Sequence, residues 1–533
     1  LNDNVLTFDV ADVTPQQTMV IDPSLDWSTY FGGFSVECAY AVSSDTSGHA
    51  YLVGHTTSSA GIATTGAYQT TYVANKDAYI ACFDSSGILT WATYYGGSNS
   101  DNFFYVTTDT LGGIYAAGIT ATTSGMTTTG SHQPVFGGGV SDAYMVKFDA
   151  TGARQWATYF GGGGDEAVAA SFDDYMVSIT WDKATNKVYL CGMTTSPSGI
   201  ATTGTHQTTI GGLKDGYLAQ FTTAGVLQWA TYYGGSNDDK IVKMSSDLSG
   251  NVYVTGITTS TADIATTGAH QTTLAGGIDA FVAKFNAAGV RQWATYYGGS
   301  NDDGSSGIAN DNTGNVYIAG ATTSTTGIST TGSFQQFIAG TGPTDAFLIK
   351  FNPSGVRQWG TYLGGISPDN TSDIAIDGNN NICFSGTTGS IGIATPGSYQ
   401  SSFGGNSDAY IAVFGPQGTR TWVSYIGGTD ADNGFGISYS RTGDLFVAGN
   451  TSSMSSIASP GSYQMVLSGS QDGYVAKFKA DTSAYVTSIA PLSVCQGDSI
   501  TVNYAITNPF LSGNVFTVQL SDEFGSFGTT TTL

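Results

Sequence analysis

The 533 residues include 73 glycines and carry a formal net charge of −24, from 40 acidic side chains against 16 Lys and Arg. So acidic a surface repels phosphate backbones, which argues against nucleic acid as a partner and keeps a large protein soluble. No run of about 20 apolar residues occurs, so no segment reads as a membrane-spanning helix.

Glutamate is nearly absent (Glu37, Glu166 and Glu523), while Val, Ile, Thr, Tyr and Phe recur in short runs bounded by Gly, Asn and Asp. That is strand-and-turn chemistry, and the expected fold class is all-β. The chain starts at Leu1 rather than Met, and residues 1–26 read as the tail of a preceding β-rich domain or as lead-in strands of a longer protein. At Trp27 begins a phrase, Trp-Ser-Thr-Tyr-Phe-Gly-Gly, with near copies at Trp91, Trp156, Trp229, Trp293, Trp359 and Trp422. The tryptophans are spaced by 64, 65, 73, 64, 66 and 63 residues. A fixed long period marks a repeat architecture.

The unit from Trp229 shows the plan. WATYYGG is a strand and SNDDK a polar turn; IVKMSSD, NVYVTG and DAFVAKF follow as strands, with a long Thr/Gly-rich loop before the last. Four short strands per unit make one antiparallel sheet. Both faces of these strands are apolar, so each sheet must be covered on both sides, and a ring of sheets, a β-propeller, does this. The first Trp strand arrives without three strands of its own, and the last unit lacks a Trp strand. The expected ring, residues 27–479, therefore has seven four-stranded blades at 34–97, 98–162, 163–235, 236–299, 300–365, 366–428, and 429–479 joined by 27–33. Blade 3 is the longest, with its excess in Asp165–Lys187. Residues 480–533 break the period and are expected to start a partial immunoglobulin-like β-sandwich.

These phrases resemble a known family. The segment VIDPSLDWSTYFGG (Val20–Gly33), the repeated WATYYGG, the D-x-x-G-N-V-Y turn and the DAYVAKF-type strand are similar to the SBBP seven-bladed propeller repeat of secreted bacterial proteins. SVCQGDSITVNYAI and GNVFTVQLSDEFGSF resemble an immunoglobulin-like module of large Bacteroidota surface proteins. The resemblance implies a secreted or cell-surface location and, by family company, export by the type IX route.

The chemistry-bearing candidates follow the repeat. Asp77, Asp142, Asp215, Asp279, Asp345, Asp408 and Asp472 open the same strand in every unit. Their sevenfold recurrence suits a scaffold role, an Asp accepting N–H bonds from its own loop. The turn after WATYYGG offers Asp101, Asp238, Asp239, Asp302, Asp303, Asp369, Asp430 and Asp432. Clustered Asp and Asn oxygens are the ligands calcium prefers, so calcium is the candidate ion, but no full EF-hand loop is present and structural turns are the alternative. Five cysteines lie at unrelated points of the repeat, without zinc spacing. His132, His206 and His270 share one slot with Tyr68, Phe334, Tyr399 and Tyr463, the mark of a packing position. No G-x-S-x-G, HExxH or P-loop occurs, and no catalytic residue or bound cofactor is assigned.

The expected function is a non-enzymatic propeller for binding, adhesion or structure in a larger surface protein. Its partners would be an extracellular glycan or protein ligand, other domains of the same protein, and secretion machinery. A polysaccharide-active hydrolase or lyase and a passive stalk are the alternatives.

Overall fold

The apolar runs of each repeat are long enough for seven- or eight-residue strands, and the polar turns between them are short enough to form hairpins, so the repeats pair as antiparallel sheets. In the unit that follows Tyr233 the strands are Asp239–Ser246, Val252–Thr258, Asp279–Phe285 and Arg291–Tyr297. They pair in sequence order, with Met244 opposite Val254, Thr255 opposite Val282 and Ala283 opposite Ala294. The computed structural model describes residues 5–9, 24–166, 177–340, 344–479, 484–490 and 499–506.

Seven four-stranded sheets stand side by side as the blades of a propeller, and no helix occurs among the described residues. The first strand of each blade is innermost. These strands touch in a closed circle, in which Glu37–Ser44 contacts both Asp101–Thr108 and Asp432–Tyr439. The ring is closed by an early strand: Leu25–Phe31 is the fourth strand of the blade formed by Asp432–Tyr439, Leu445–Thr451 and Asp472–Phe478. Trp27 stands opposite Lys477 and Tyr30 opposite Tyr474. Asp26 adds ion pairs to Lys477 at 3.2 Å and Lys479 at 2.9 Å on the same seam.

The core lies between blades, with both faces of every sheet buried as apolar strands require. The repeated tryptophans act across these gaps. Trp229 Nε1 donates to the Ala287 carbonyl of the next blade at 3.0 Å, and Trp27, Trp91, Trp156, Trp293 and Trp359 make the equivalent bond. The indole lies so close to the receiving turn that a Cβ on Gly289 would sit 3.0 Å from it; the same glycine has φ +76°. Trp27 reaches Ser85 of the first blade in this way, which ties the closing strand across the seam.

Fourth strands would otherwise leave seven open edges. The long loop between second and third strands folds back over each one: Thr266 N bonds Ala294 O at 2.8 Å and Tyr296 N bonds Gln271 O at 3.1 Å. The same pair of bonds recurs in all seven blades, the seventh using Ser459 and Gln464 on the early strand. Covered edges cannot recruit foreign strands.

The two ends of the chain meet. Val5–Asp9 pairs with Ser499–Ile506, which pairs with Ala484–Ala490, in one three-stranded antiparallel sheet. Of residues 480–533, where the immunoglobulin-like sandwich is expected, only Ala484–Ala490 and Ser499–Ile506 are among the described residues, and Cys495 lies outside them. The extra length of blade 3 falls between Glu166 and the short first strand Ser178–Asp182; residues 167–176 are outside the described set.

Candidate functional site

The chemistry-bearing side chains gather in two places: at the blade junctions, on the face formed by the long loops, and on the ring axis.

At each junction the two turn glycines lead from an outermost strand to the next innermost one. Asp77, Asp142, Asp215, Asp279, Asp345, Asp408 and Asp472, at the start of the third strands, are all fully buried there. Each accepts a backbone N–H from its own loop, as in Val73 to Asp77 at 2.9 Å and Ala275 to Asp279 at 2.9 Å. A glutamine completes the arrangement. Gln271 Nε2 donates to Asp279 at 2.7 Å, and its Oε1 accepts the Gly298 N–H at 3.0 Å. Gln69, Gln133, Gln207, Gln335, Gln400 and Gln464 repeat this staple. Sequence reasoning missed it, although its signal was present: a Gln follows the His-or-aromatic slot in every unit. The slot itself packs, with His206 5.8 Å from Phe285 and Tyr399 5.5 Å from Phe478 of the next blade.

A second ring of acids follows the turn glycines: Glu37, Asp101, Asp239, Asp303, Asp369 and Asp432 open innermost strands, Glu166 stands at the equivalent place after Gly161 and Gly162, and all are buried. Five of these seven are among the proposed calcium ligands, and the two scarce glutamates complete the circle. Each of them accepts at least two hydrogen bonds. Asp239 accepts Gly235 N at 2.6 Å and Ser260 Oγ at 2.8 Å; Asp303 accepts Gly299 N at 2.6 Å and Ser324 Oγ at 2.9 Å. Asp238, Asp302 and Asp430 sit in the turn just before. Asp302 accepts the Ile278 N–H at 3.2 Å, and Asp238 lies 3.7 Å from Lys214 Nζ. No three His, Cys, Asp or Glu side chains converge as metal ligands among the described residues. The geometry is that of hydrogen-bonded turns.

The two acid rings face one another. A Cβ on Gly298 would lie 2.7 Å from both Asp279 Oδ1 and Asp303 Oδ2; on Gly96 it would meet Asp77 at 2.7 Å and Asp101 at 2.9 Å. Glycine is required because two carboxylates crowd its Cα. Burial pushes Asp77 up to about 6, and burial with the Asp77 charge nearby pushes Asp101 up to about 7.

The axis is where the blades differ. Each described innermost strand of normal length has a bulge near its middle, and the bulged residue ranges from aromatic through Val to Ser: Tyr40, Phe104, Val242, Ser306, Ser372 and Phe435. Tyr40 packs 5.0 Å from Phe104 and 5.7 Å from Phe435. One level on, Lys243 of the fourth blade meets Asp373 of the sixth at 3.2 Å and lies 3.6 Å from the ring centre of Tyr105 in the second. Tyr105 donates to Asp373 at 3.0 Å. Burial holds the Lys243 ammonium below its usual range, opposed by the Asp373 charge. These side chains come from unlike blades, as a propeller's functional centre would, but they pack on one another.

Comparison with known proteins agrees with the fold. The family model described as SBBP, beta-propeller repeat, matches residues 228–263. The chain is 25% identical over 262 residues to the uncharacterized WD repeat-containing protein L264 of Acanthamoeba polyphaga mimivirus, over 43% of this chain and 19% of that protein. The chain thus matches only about a fifth of its relative's length. Among solved structures, Sqt1 from Chaetomium thermophilum aligns over 86% of this chain and all of its own, at 11% identity and a TM-score of 0.36. The polysaccharide lyase Uly1 aligns over 88% of this chain and all of its own, at 8% identity and a TM-score of 0.41. Likeness this distant says nothing about activity.

Proposed function

We propose that this propeller is a non-enzymatic binding or adhesion module of a larger secreted or cell-surface protein, and that it presents the long-loop face to an extracellular glycan or protein. One observation carries the reading. Among the described residues, that face leaves Phe34 85% exposed, Leu213 82%, Phe337 73% and Ile366 72%. Apolar side chains concentrated on one face mark an interaction surface. The interlocked axial side chains favour binding on the rim over chemistry in a central pocket. The same proposal takes the strands after residue 480 as the start of an immunoglobulin-like module, and export by the type IX route; both rest on the resemblance of the sequence.

The test is a glycan array and a panel of polysaccharides, read for binding and for turnover. Saturable binding without turnover is expected, weakened at least tenfold (about 1.4 kcal/mol) by Phe34→Ser, Phe337→Ser and Ile366→Ser together, with Tm unchanged. Turnover of any polysaccharide would favour a hydrolase or lyase instead. Binding that ignores the triple substitution would move the surface elsewhere, and no binding at all would favour a passive stalk.

A further inference from the structure

The outer rim carries a groove that departs from the repeat. Two of the arginines that open fourth strands lie over the slot residue of the preceding blade: Arg154 is 4.5 Å from the ring centre of Tyr68, and Arg420 is 4.6 Å from that of Phe334. The early strand Leu25–Phe31 begins with leucine instead, which is too short to reach across a ring in this way. There an open groove of about 1010 Å³ is lined by Leu25 and by Tyr399, whose ring stands edge-on to Phe478 at 5.5 Å. Leu89 and Leu227 hold the same position in two other blades, but Thr90 and Gln228 follow them where Asp26 follows Leu25. Asp26 pairs with Lys479 at 2.9 Å, and both line the groove.

The walls come from four parts of the ring: residues 24–27 at the early strand, Ser85 and Ser86 of the first blade, Gly397 and Tyr399 of the sixth, and residues 459–462 of the seventh. The apolar side is Leu25 and the Tyr399 ring, which is 40% exposed. The polar side is the exposed Ser24, Ser85 and Ser86 with the Asp26–Lys479 pair. A cleft near the upper end of the small-ligand range (about 300–1,000 Å³), with an aromatic wall and a few convergent polar groups, suits a ligand with two kinds of surface. Sugars are such ligands: their C–H faces pack on an aromatic ring, and their hydroxyls both donate and accept. Lys477 and Lys479 are balanced by Asp26 and Asp444, which favours an uncharged ligand. We propose that this groove binds a neutral oligosaccharide, at a site apart from the loop face whose lining includes none of Phe34, Phe337 and Ile366. Its walls assemble only with the early strand docked, so an occupied groove also holds the seam of the ring shut.

The test is an array of short oligosaccharides of glucose, galactose, mannose, xylose and N-acetylglucosamine, probed with the whole chain, with each binder then measured by calorimetry. A single-site binder is expected. Tyr399→Ala removes the aromatic wall and Ser86→Trp, at an exposed turn, fills the groove; each should weaken binding at least tenfold. Tyr68→Ala, at the slot under Arg154, should leave it unchanged. A hundredfold excess of sugar over Kd should raise the wild-type Tm by about 2–3 °C. No binder in the array, or a binder indifferent to Tyr399→Ala and Ser86→Trp, or one weakened equally by Tyr68→Ala, would overturn the proposal. If Tyr399→Ala does not fold, Ser86→Trp decides. A sugar lost on the triple substitution of Phe34, Phe337 and Ile366 but kept by Tyr399→Ala and Ser86→Trp belongs to the loop face, and overturns this site alone.

Discussion

Lys243 and Asp373 lie 130 positions apart in the chain, yet their charges meet on the propeller axis at 3.2 Å, with both side chains almost wholly buried. Blades 4 and 6 do not adjoin, so this pair and Tyr105 brace the ring from within. Removing one partner leaves the other charge buried and unpaired. Lys243→Met or Asp373→Leu alone should cost about 3–5 kcal/mol, and the double substitution much less. Urea denaturation of the two single variants and the double variant measures this; additive losses would show that the ion pair does not couple the blades.

Trp27 is the one repeated tryptophan that joins the two ends of the ring. It is 6% exposed and packs 6.1 Å from both Phe83 and Phe446. Trp27→Ala should cost about 3–5 kcal/mol. It should also make the seam the first site of limited proteolysis, which Trp293→Ala, on a closed part of the ring, should not.

The glutamine staple predicts a polar penalty. Gln271→Ala deprives Gly298 N–H of its acceptor and should cost about 1–3 kcal/mol by urea unfolding. Gln271→Glu keeps an acceptor but sets a second carboxylate beside Asp279, so its loss should be greater near pH 8 than near pH 5.

Two glycines of the fourth blade separate crowding from backbone strain. Gly298→Ala drives a methyl against Asp279 and Asp303 at 2.7 Å, an overpacking cost of about 1–3 kcal/mol. Gly268→Ala meets nothing but sits at φ +79°, a cost of about 1–2 kcal/mol. Adding Asp303→Ala should recover part of the first loss and none of the second, which a double-mutant cycle reads directly.

Asp311 runs opposite to the junction acids. Asn315 and Thr313 donate to it and hold its carboxyl below the usual value against the effect of burial. Its stabilisation is present above about pH 4 and is lost as acid protonates it. Asp311→Asn should therefore lower Tm near pH 7 and shrink that deficit near pH 3.

Much of the ring was legible in the residues. The spacing of Trp27, Trp91 and their copies, the missing strands at either end and the two-faced apolar runs together imply a closed seven-bladed propeller, because no other covering of two apolar faces uses every strand. The scaffold role of Asp279 and its equivalents was legible too, since an Asp before a strand can bond its own loop. The hydrogen bonds of Asp239 and Asp303 were not legible, because composition shows oxygens and not the donors aimed at them. Glu37 and Glu166 looked like strays, since a one-carbon difference hid their equivalence to aspartate.

What the sequence determined by itself was everything set by local period: strand lengths, turns, the packing slot and the number of blades. Only the tertiary structure decided the axial brace of Tyr105, Lys243 and Asp373, the facing of the two acid rings and the concentration of exposed apolar side chains on one face. Those depend on which residues curvature brings together from separate blades, and a bulge in six of the inner strands sets which side chains stand there. Local periodicity carries no record of either.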